Sequence, residues 1–328
     1  EPDELPTALS RDKDAKYTKN RHTQQGFCTF APMHKAGFVN IIGNPNVGKS
    51  TLINALLEEK LSIITAKAQT TRHRILGMYN TPEVQAIFSD TPGIIKPQYT
   101  LQERMMDAAN SAFDDADVMV FVVSTDETDN QDENTLQRVQ KHKGQLLLVI
   151  NKIDLTNQNT LEEQVAQWQT MFPKAEIWPI SALENFKIIE LRDRIVSLLP
   201  QHPPYFPKDQ LTDKPERFFV NEAVREQILL YYQQEIPYAV EVVTEQFHED
   251  ENIIRIRSLI LVERDSQKGI IVGRKGAAIK AVGMAARKNL EAFFSKKIHL
   301  ELFVKVAKNW RTNERQLQRF GYSSSQKG

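Results

Sequence analysis

Apolar residues along this chain gather into two kinds of stretch. Continuous apolar runs recur at 38–42, 84–88, 118–123, 146–150 and 176–180, and each predicts a short strand. Amphipathic stretches at 49–57, 101–112, 134–141 and 161–171 lie between them, with 191–199 after the last run, and each predicts a helix. Strands without polar alternation are buried on both faces, so the pattern predicts an α/β domain: a mainly parallel sheet covered by helices. Pro203, Pro204 and Pro207 then fall within five residues and cannot continue a helix. Beyond them the order changes to helix (219–234), two strands (238–247, 252–262), helix (279–294), strand (298–306) and a short tail helix near 314–320. That order predicts a small α+β domain. The expected division is a first domain over 33–200, a proline-rich linker over 201–217, a second domain over 218–312 and a tail over 313–328. Residues 1–32 show no periodicity and read as a disordered extension, with Met33 the expected natural start.

A length of 328 residues suits two domains with sizeable cores. No window approaches ~18 consecutive apolar residues, so no membrane span is expected. The first thirty residues lack the apolar core of a signal peptide. A single cysteine, Cys28, rules out an internal disulfide and a cysteine-based metal site, as expected in a reducing cytosol. Charge changes the picture more. The chain carries 42 basic and 42 acidic residues, which at face value argues against a nucleic-acid partner. Counted by segment, 33–217 has a net charge of −5 and 218–328 a net of +5. Within the latter, 268–311 holds eleven basic residues against Glu291 and Glu301 alone. The zero is a cancellation between halves with separate tasks.

In the acidic half, Gly43-Asn44-Pro45-Asn46-Val47-Gly48-Lys49-Ser50 is a glycine, four residues, then Gly-Lys-Ser, placed between a buried strand and a helix. Glycines let successive backbone N–H groups turn inward onto phosphate oxygens. Lys49 adds a point charge, the Ser50 hydroxyl can ligate magnesium, and the helix dipole favours the same anion. Asn151-Lys152-Ile153-Asp154 follows the strand at 146–150, at the strand end where open α/β sheets bind ligands. A carboxylate at Asp154 can accept from both N1–H and the 2-amino group of guanine. Adenine offers neither donor, so the site would select guanine. Lys152 would lie along the base plane, Asn151 would brace the phosphate loop, and Ser181-Ala182 would offer a backbone N–H to the guanine carbonyl. Asp90-Thr91-Pro92-Gly93 places Asp90 to hold magnesium through water and the Gly93 N–H to meet the γ-phosphate. Within Gln69-Thr70-Thr71-Arg72, Thr71 is favoured over Thr70 to complete the magnesium shell; Arg72 is a candidate cationic helper for hydrolysis, but reads more readily as an exposed loop arginine without a fixed task.

Taken in order, GNPNVGKS, QTTRH, DTPG, NKID and SA resemble the bacterial Era-type GTPases, within the TrmE–Era–EngA group of translation-factor-related G proteins. The resemblance runs from residue 36 to about 320, with KAQTTRHRI in the first half and LILVERDSQKGIIVGRKGAAIK in the second. It implies a P-loop G domain followed by a type II KH domain, and GTP hydrolysis with Lys49, Thr71 and Gly93 as catalytic residues. Thr51, Ile94 and Leu183 would join the nucleotide contacts already named, and Ser50, Thr71 and Asp90 would hold magnesium. Ile94 stands where many GTPases carry a water-orienting glutamine, so slow intrinsic turnover is expected. Asn46 stands where related members coordinate potassium, a candidate for the missing cation.

In the basic half, Gly273-Arg274-Lys275-Gly276 joins the apolar run 270–272 to the predicted helix. It matches the Gly-x-x-Gly loop of a KH domain, which clamps the backbone of about four nucleotides. Arg274 and Lys275 would meet phosphates, and Lys280, Arg287 and Lys288 extend the positive field. Ile271, Val272, Ile279 and Val282 are candidates for an apolar platform under the bases or for core. Composition alone implies single-stranded RNA. The resemblance implies the 3′ end of 16S rRNA, a role in small (30S) subunit assembly, and a monomeric cytoplasmic protein with peripheral inner-membrane contact. Three rivals stay open: a metabolic kinase on the same scaffold, an RNA-binding protein with a structural nucleotide site, and a membrane-associated signalling GTPase.

Overall fold

The computed structural model describes residues 34–126 and 132–322; the extension expected over 1–32 lies outside them. The first domain is a six-stranded sheet ordered β2-β3-β1-β4-β5-β6. Its strands are β1 (Lys35–Ile42), β2 (Ile75–Asn80), β3 (Val84–Asp90), β4 (Val118–Ser124), β5 (Gln145–Asn151) and β6 (Glu176–Pro179). Only β2 runs antiparallel. Strand alternation divides the core into two layers. Val39, Ile41, Val118, Val120, Val122, Leu147 and Val149 face α1 (Lys49–Leu57) and α5 (Ile188–Leu198). Met119, Phe121, Val123, Leu148 and Ile150 face α3 (Glu133–Lys141) and α4 (Gln158–Met171). Between β3 and β4 runs α2 (Thr100–Ser111). No helix among the described residues is long and apolar enough to cross a membrane.

The second domain opens with α6 (Glu216–Tyr231), which begins inside the stretch assigned to the linker. It continues with β7 (Glu241–Glu249), β8 (Ile253–Val262), α7 (Asp265–Val272), α8 (Ala277–Phe294), β9 (Lys297–Val306) and α9 (Glu314–Arg319). In its sheet, β8 pairs antiparallel with β7 and parallel with β9. Val224 and Ile228 of α6, Ile271 of α7, and Val282 and Ala286 of α8 close over Val242, Ile260 and Val262.

Two elements and one connection differ from the expectation. The run Ile270-Ile271-Val272 is the end of helix α7, although β-branched residues and Gly269 are poor helix formers. Gln267 Oε1 accepts the backbone N–H groups of Glu263 and Arg264 at 3.0 and 3.1 Å, satisfying donors at the helix start, and Ile271 is fully buried. The edge strand β2 escaped detection because Gly77 interrupts its apolar run. The proline-rich connection lies bound along the first domain. Gln85, fully buried, accepts from the N–H groups of Tyr205 and Phe206 and donates to the Phe206 carbonyl at 2.9 Å. Further on, Met78 N–H donates to the Leu211 carbonyl at 2.8 Å, so residues 211–213 cover the open edge of β2.

The domains share a small core of their own. Leu101 and Met105 of α2 pack with Trp310, Leu317 and Tyr322. Trp310 is fully buried and its indole N–H donates to the Ala239 carbonyl at 3.1 Å. The ring of His73 stacks on Tyr322 at 4.2 Å; burial, with the Arg225, Lys214 and Arg72 cations nearby, pushes its pKa down to about 3. Trp310→Ala should cost about 3–5 kcal/mol, the range for truncating a buried tryptophan. Urea unfolding measures it, and an unchanged midpoint would show that this cluster does not hold the domains together.

Candidate functional site

The phosphate loop leaves β1 at Gly43 and enters α1 at Gly48, both with positive φ (151° and 95°). A side chain at Gly43 would lie 2.2 Å from the Val122 carbonyl oxygen, and one at Gly48 would lie 2.3 Å from Asn151 Nδ2. Neither position has room for a Cβ. Asn46 at the outer turn is left-handed (φ 64°), a conformation that asparagine tolerates better than most residues. Lys49 is buried under the loop, its ammonium donating to the Gly43 and Asn44 carbonyls at 3.0 and 2.7 Å. Val47 is buried in the core below, and Pro45, Asn46, Gly48, Lys49, Ser50 and Thr51 line an open cavity of about 550 Å³.

One side chain ties the phosphate end to the base end. Asn151 Nδ2 donates to the Val47 carbonyl at 2.9 Å, and Asn151 Oδ1 accepts the Ala182 N–H at 3.0 Å. The Ala182 N–H is thus committed to Asn151 and not to the guanine carbonyl expected from the sequence. Ser181 Oγ donates to Asp154 Oδ1 at 2.5 Å, fixing the carboxylate, while Oδ2 makes no hydrogen bond among the described residues. Lys152, left-handed at φ 61°, pairs with Asp126 at 3.0 Å and lines the cavity with Leu183. Against the cost of burial, Lys152 holds the Asp126 carboxyl below its ordinary pKa.

Ser50, Thr71 and Asp90 converge at the other side. Ser50 Oγ lies 2.9 Å from Thr71 Oγ1 and donates to Asp90 Oδ2 at 2.8 Å; Thr71 donates to the same oxygen at 3.4 Å. Asp90 is fully buried, which pushes its pKa up, with the Ser50 hydroxyl and Lys49 opposing. Its Oδ1 has no hydrogen-bond partner among the described residues. One carboxylate and two hydroxyls suit magnesium, which takes few protein ligands and keeps water and phosphate oxygens for the rest. Thr70 turns away, bonding Thr65 Oγ1 and the Lys67 carbonyl, each at 2.6 Å. Thr91 donates to the Ile41 carbonyl at 2.8 Å, Ile94 N–H donates to the Gly43 carbonyl at 3.3 Å, and Pro92 between them is buried. Gly93 approaches Pro45 so closely that a Cβ would sit 2.7 Å from its Cα.

Sequence reasoning missed several cavity residues: Ile63, Ile64, Thr65, Lys67 and Asp126. Asp126 had a legible signal, since it lies two residues past the end of β4 on the ligand side of the sheet. The others lie between motifs, and no spacing marks them. Arg72 departs furthest from its reading as an exposed residue. It is fully buried, donating to the Val240 carbonyl at 2.7 Å, the Pro237 carbonyl at 3.3 Å and Glu241 at 3.3 Å.

In the second domain, Gly273 and Gly276 turn the chain between α7 and α8 with φ 70° and 77°. Arg274, Lys275, Lys280, Arg287 and Lys288 are all exposed. Beside them, Ile279, Gly283, Met284, Leu300 and Leu302 floor a groove of about 250 Å³ rimmed by Lys280 and Arg287. Of the expected platform, only Ile279 lines it; Ile271 and Val282 are core. Spacing of 279/280, 283/284 and 287 puts one face of α8 on the groove, a pattern open to detection by helical period.

A family model described as a 50S ribosome-binding GTPase matches residues 38–152, and a KH-domain model matches 235–311. GTPase Era of Geotalea daltonii is 46% identical over 289 residues, covering 88% of this chain and 97% of that protein. The Geotalea uraniireducens GTPase Era is 45% identical over 290 residues, with 88% and 98% covered.

The chain belongs to the Era family of GTPases.

Solved structures agree with that membership. A crystal structure of Era in complex with MgGDPNP and nucleotides 1506–1542 of 16S ribosomal RNA is 37% identical, with a TM-score of 0.83, covering 89% of this chain and all of that one. A variant of Aquifex aeolicus Era bound to GDP and aluminium fluoride is 36% identical, also at 0.83, covering 88% and all of that chain. The α/β unit is a P-loop G domain and the α+β unit a KH domain. Asp154→Asn should weaken GTP binding by about 100-fold or more, because guanine then faces an amide in place of a fixed carboxylate. Titration with a fluorescent GDP analogue reads this, and unchanged affinity would remove Asp154 from the base site.

Proposed function

We propose that this GTPase binds the 3′ end of 16S rRNA through its KH domain and serves as a nucleotide-switched assembly factor for the small ribosomal subunit. The observation that carries the proposal is the Gly273–Gly276 turn opening beside an apolar groove with a basic rim. A shallow groove beside a cationic turn suits splayed single-stranded bases with their phosphates against Arg274 and Lys275. The Era complex with nucleotides 1506–1542 supports that choice of RNA.

On the nucleotide side, water attacks the γ-phosphorus of GTP as the bond to the β-phosphate oxygen breaks, giving GDP and phosphate. Lys49 is positioned under the loop to exchange its two carbonyl partners for phosphate oxygens. Ser50, Thr71 and Asp90 would hold magnesium, which supplies charge neutralisation at the β- and γ-phosphates when bound. Ile94 cannot orient the attacking water, so intrinsic turnover is slow. Asn46 lines the cavity at the loop's outer turn, which supports it as the residue that would meet a potassium ion. Hydrolysis should then run about tenfold faster in potassium than in sodium at equal ionic strength. Equal rates would leave Asn46 with a loop-shaping role alone.

For the RNA arm, Arg274→Asp with Lys275→Asp is preferable to changing Gly273, whose Cβ would sit 2.6 Å from that of Ala278. Affinity for a short RNA of the 16S 3′ end should fall about 100-fold at 0.1 M salt, with GTP affinity unchanged. Retained RNA affinity would overturn the proposal for this surface.

A further inference from the structure

The segment that carries Thr71 is held from the other domain. Lys67 Nζ donates to the Leu229 and Tyr232 carbonyls at the end of α6. The Gln69 carbonyl accepts from Arg225 Nη1 at 3.4 Å, and the Thr70 carbonyl accepts from Arg225 Nη2. Arg72 is fastened to Pro237, Val240 and Glu241, as described above. Between these anchors, the Thr71 hydroxyl points the opposite way, onto Ser50 and Asp90. Arg225 itself is buried and held by Glu222 through two bonds, Nε to Oε1 at 2.8 Å and Nη2 to Oε2 at 2.5 Å.

We propose that Arg225 of the KH domain is a positioning residue for GTP hydrolysis, acting through the backbone of Gln69 and Thr70 to present Thr71 to the magnesium site. A guanidinium has a planar fork of donors, so one side chain locked by a carboxylate can grip two consecutive carbonyls at once. Fixing those two carbonyls fixes the peptide planes that lead directly into Thr71, leaving its hydroxyl little choice of direction. Docking of the KH domain is therefore part of the hydrolytic site, and undocking withdraws a metal ligand without touching the phosphate loop. The inference rests on the magnesium role of Thr71 proposed above.

The test uses the full chain. Removing Arg225 alone would strand a buried Glu222, so the principal variant is Glu222→Gln with Arg225→Gln, which removes both charges together. Three comparisons accompany it. Arg225→Lys keeps the cation but loses the fork. Glu314→Gln breaks an ion pair with Arg104 (2.6 Å) that also joins the domains but lies away from the switch segment. Thr71→Ala tests the underlying assignment. The double variant should lower kcat about 10- to 100-fold, the scale of a misplaced catalytic group, with GDP affinity unchanged and a cooperative melting transition retained. Arg225→Lys should recover part of that loss, and Glu314→Gln should lose none. Independently of activity, magnesium should bind the complex with a non-hydrolysable GTP analogue at least about tenfold more weakly in the double variant, because the released peptides no longer hold the Thr71 hydroxyl toward Ser50 and Asp90. Full kcat in the double variant, or equal losses in Glu314→Gln, would overturn the inference. If Thr71→Ala keeps full kcat, the magnesium assignment itself fails; if Thr71→Ala is impaired while the double variant is not, only the role of Arg225 fails.

Discussion

Two guanidinium groups, those of Arg72 and Arg225, are taken out of water at the meeting of the two domains, and the arrangement around them follows from that expense. A buried cation is tolerable only when its donors are nearly all satisfied and a carboxylate stands close. Glu241 serves Arg72 and Glu222 serves Arg225, with backbone carbonyls taking up further donors. Glu241 is in turn steadied by Tyr322, whose hydroxyl donates to Oε2 at 2.9 Å. Burial raises the pKa of Glu241 while Arg72 and Arg225 oppose it, so the acid and the two bases depend on one another. Because the carbonyls in question belong to 69–70 in one domain and 237–240 in the other, satisfying two charges also fixes the docking. The same bonds constrain the loop on which Thr71 sits, with its hydroxyl against Ser50 and Asp90.

At the nucleotide end the corresponding constraint is close approach. The loop from Gly43 to Gly48 passes so near Val122 and Asn151 that both end positions exclude a side chain. That proximity lets Asn151 reach the Val47 carbonyl with its amide nitrogen and the Ala182 N–H with its oxygen. A single amide thereby sets the distance between the phosphate loop and the segment beside the base. The cost of the positive φ values is borne by glycine, except at Asn46, where the side chain is small and polar enough to follow.

Motifs that sit at strand ends were legible because their chemistry and their context coincide within about ten residues. Ser50, Asp90 and Asn151 stand out in the sequence for that reason, and the structure brings the first two together with Thr71, while Thr70 turns away. What could not be read depends on partners far along the chain. Arg72 looks like any loop arginine until residues 237–241 fold against it, 165 or more residues later. The proline-rich connection looks like a spacer, and the buried Gln85 that binds it gives no local hint of a partner at 205–206. Helix α7 fails in the opposite sense. Its local composition favours a strand, and tertiary burial of Ile271 with an end bonded by Gln267 overrides that preference.

The charge count shows the same limit in numbers. Over 268–311 the net is +9, yet Lys296 and Arg311 are paired with Glu249 and Glu263, which lie just outside that window in sequence but beside it in space. Including those two carboxylates lowers the local net to +7. Arg287 also faces Glu291, though at 3.9 Å and half-exposed this pair is weak and can yield to a phosphate. The cations left facing solvent around the Gly273–Gly276 turn and along α8 are Arg274, Lys275, Lys280 and Lys288. Salt sensitivity of RNA binding follows the number of phosphates neutralised, at about 0.7 per contact for single strands, and not the number of basic residues in a window. The salt slope of RNA binding would therefore count how many cations of this short row meet phosphates, while the remaining basic residues add only to the long-range field.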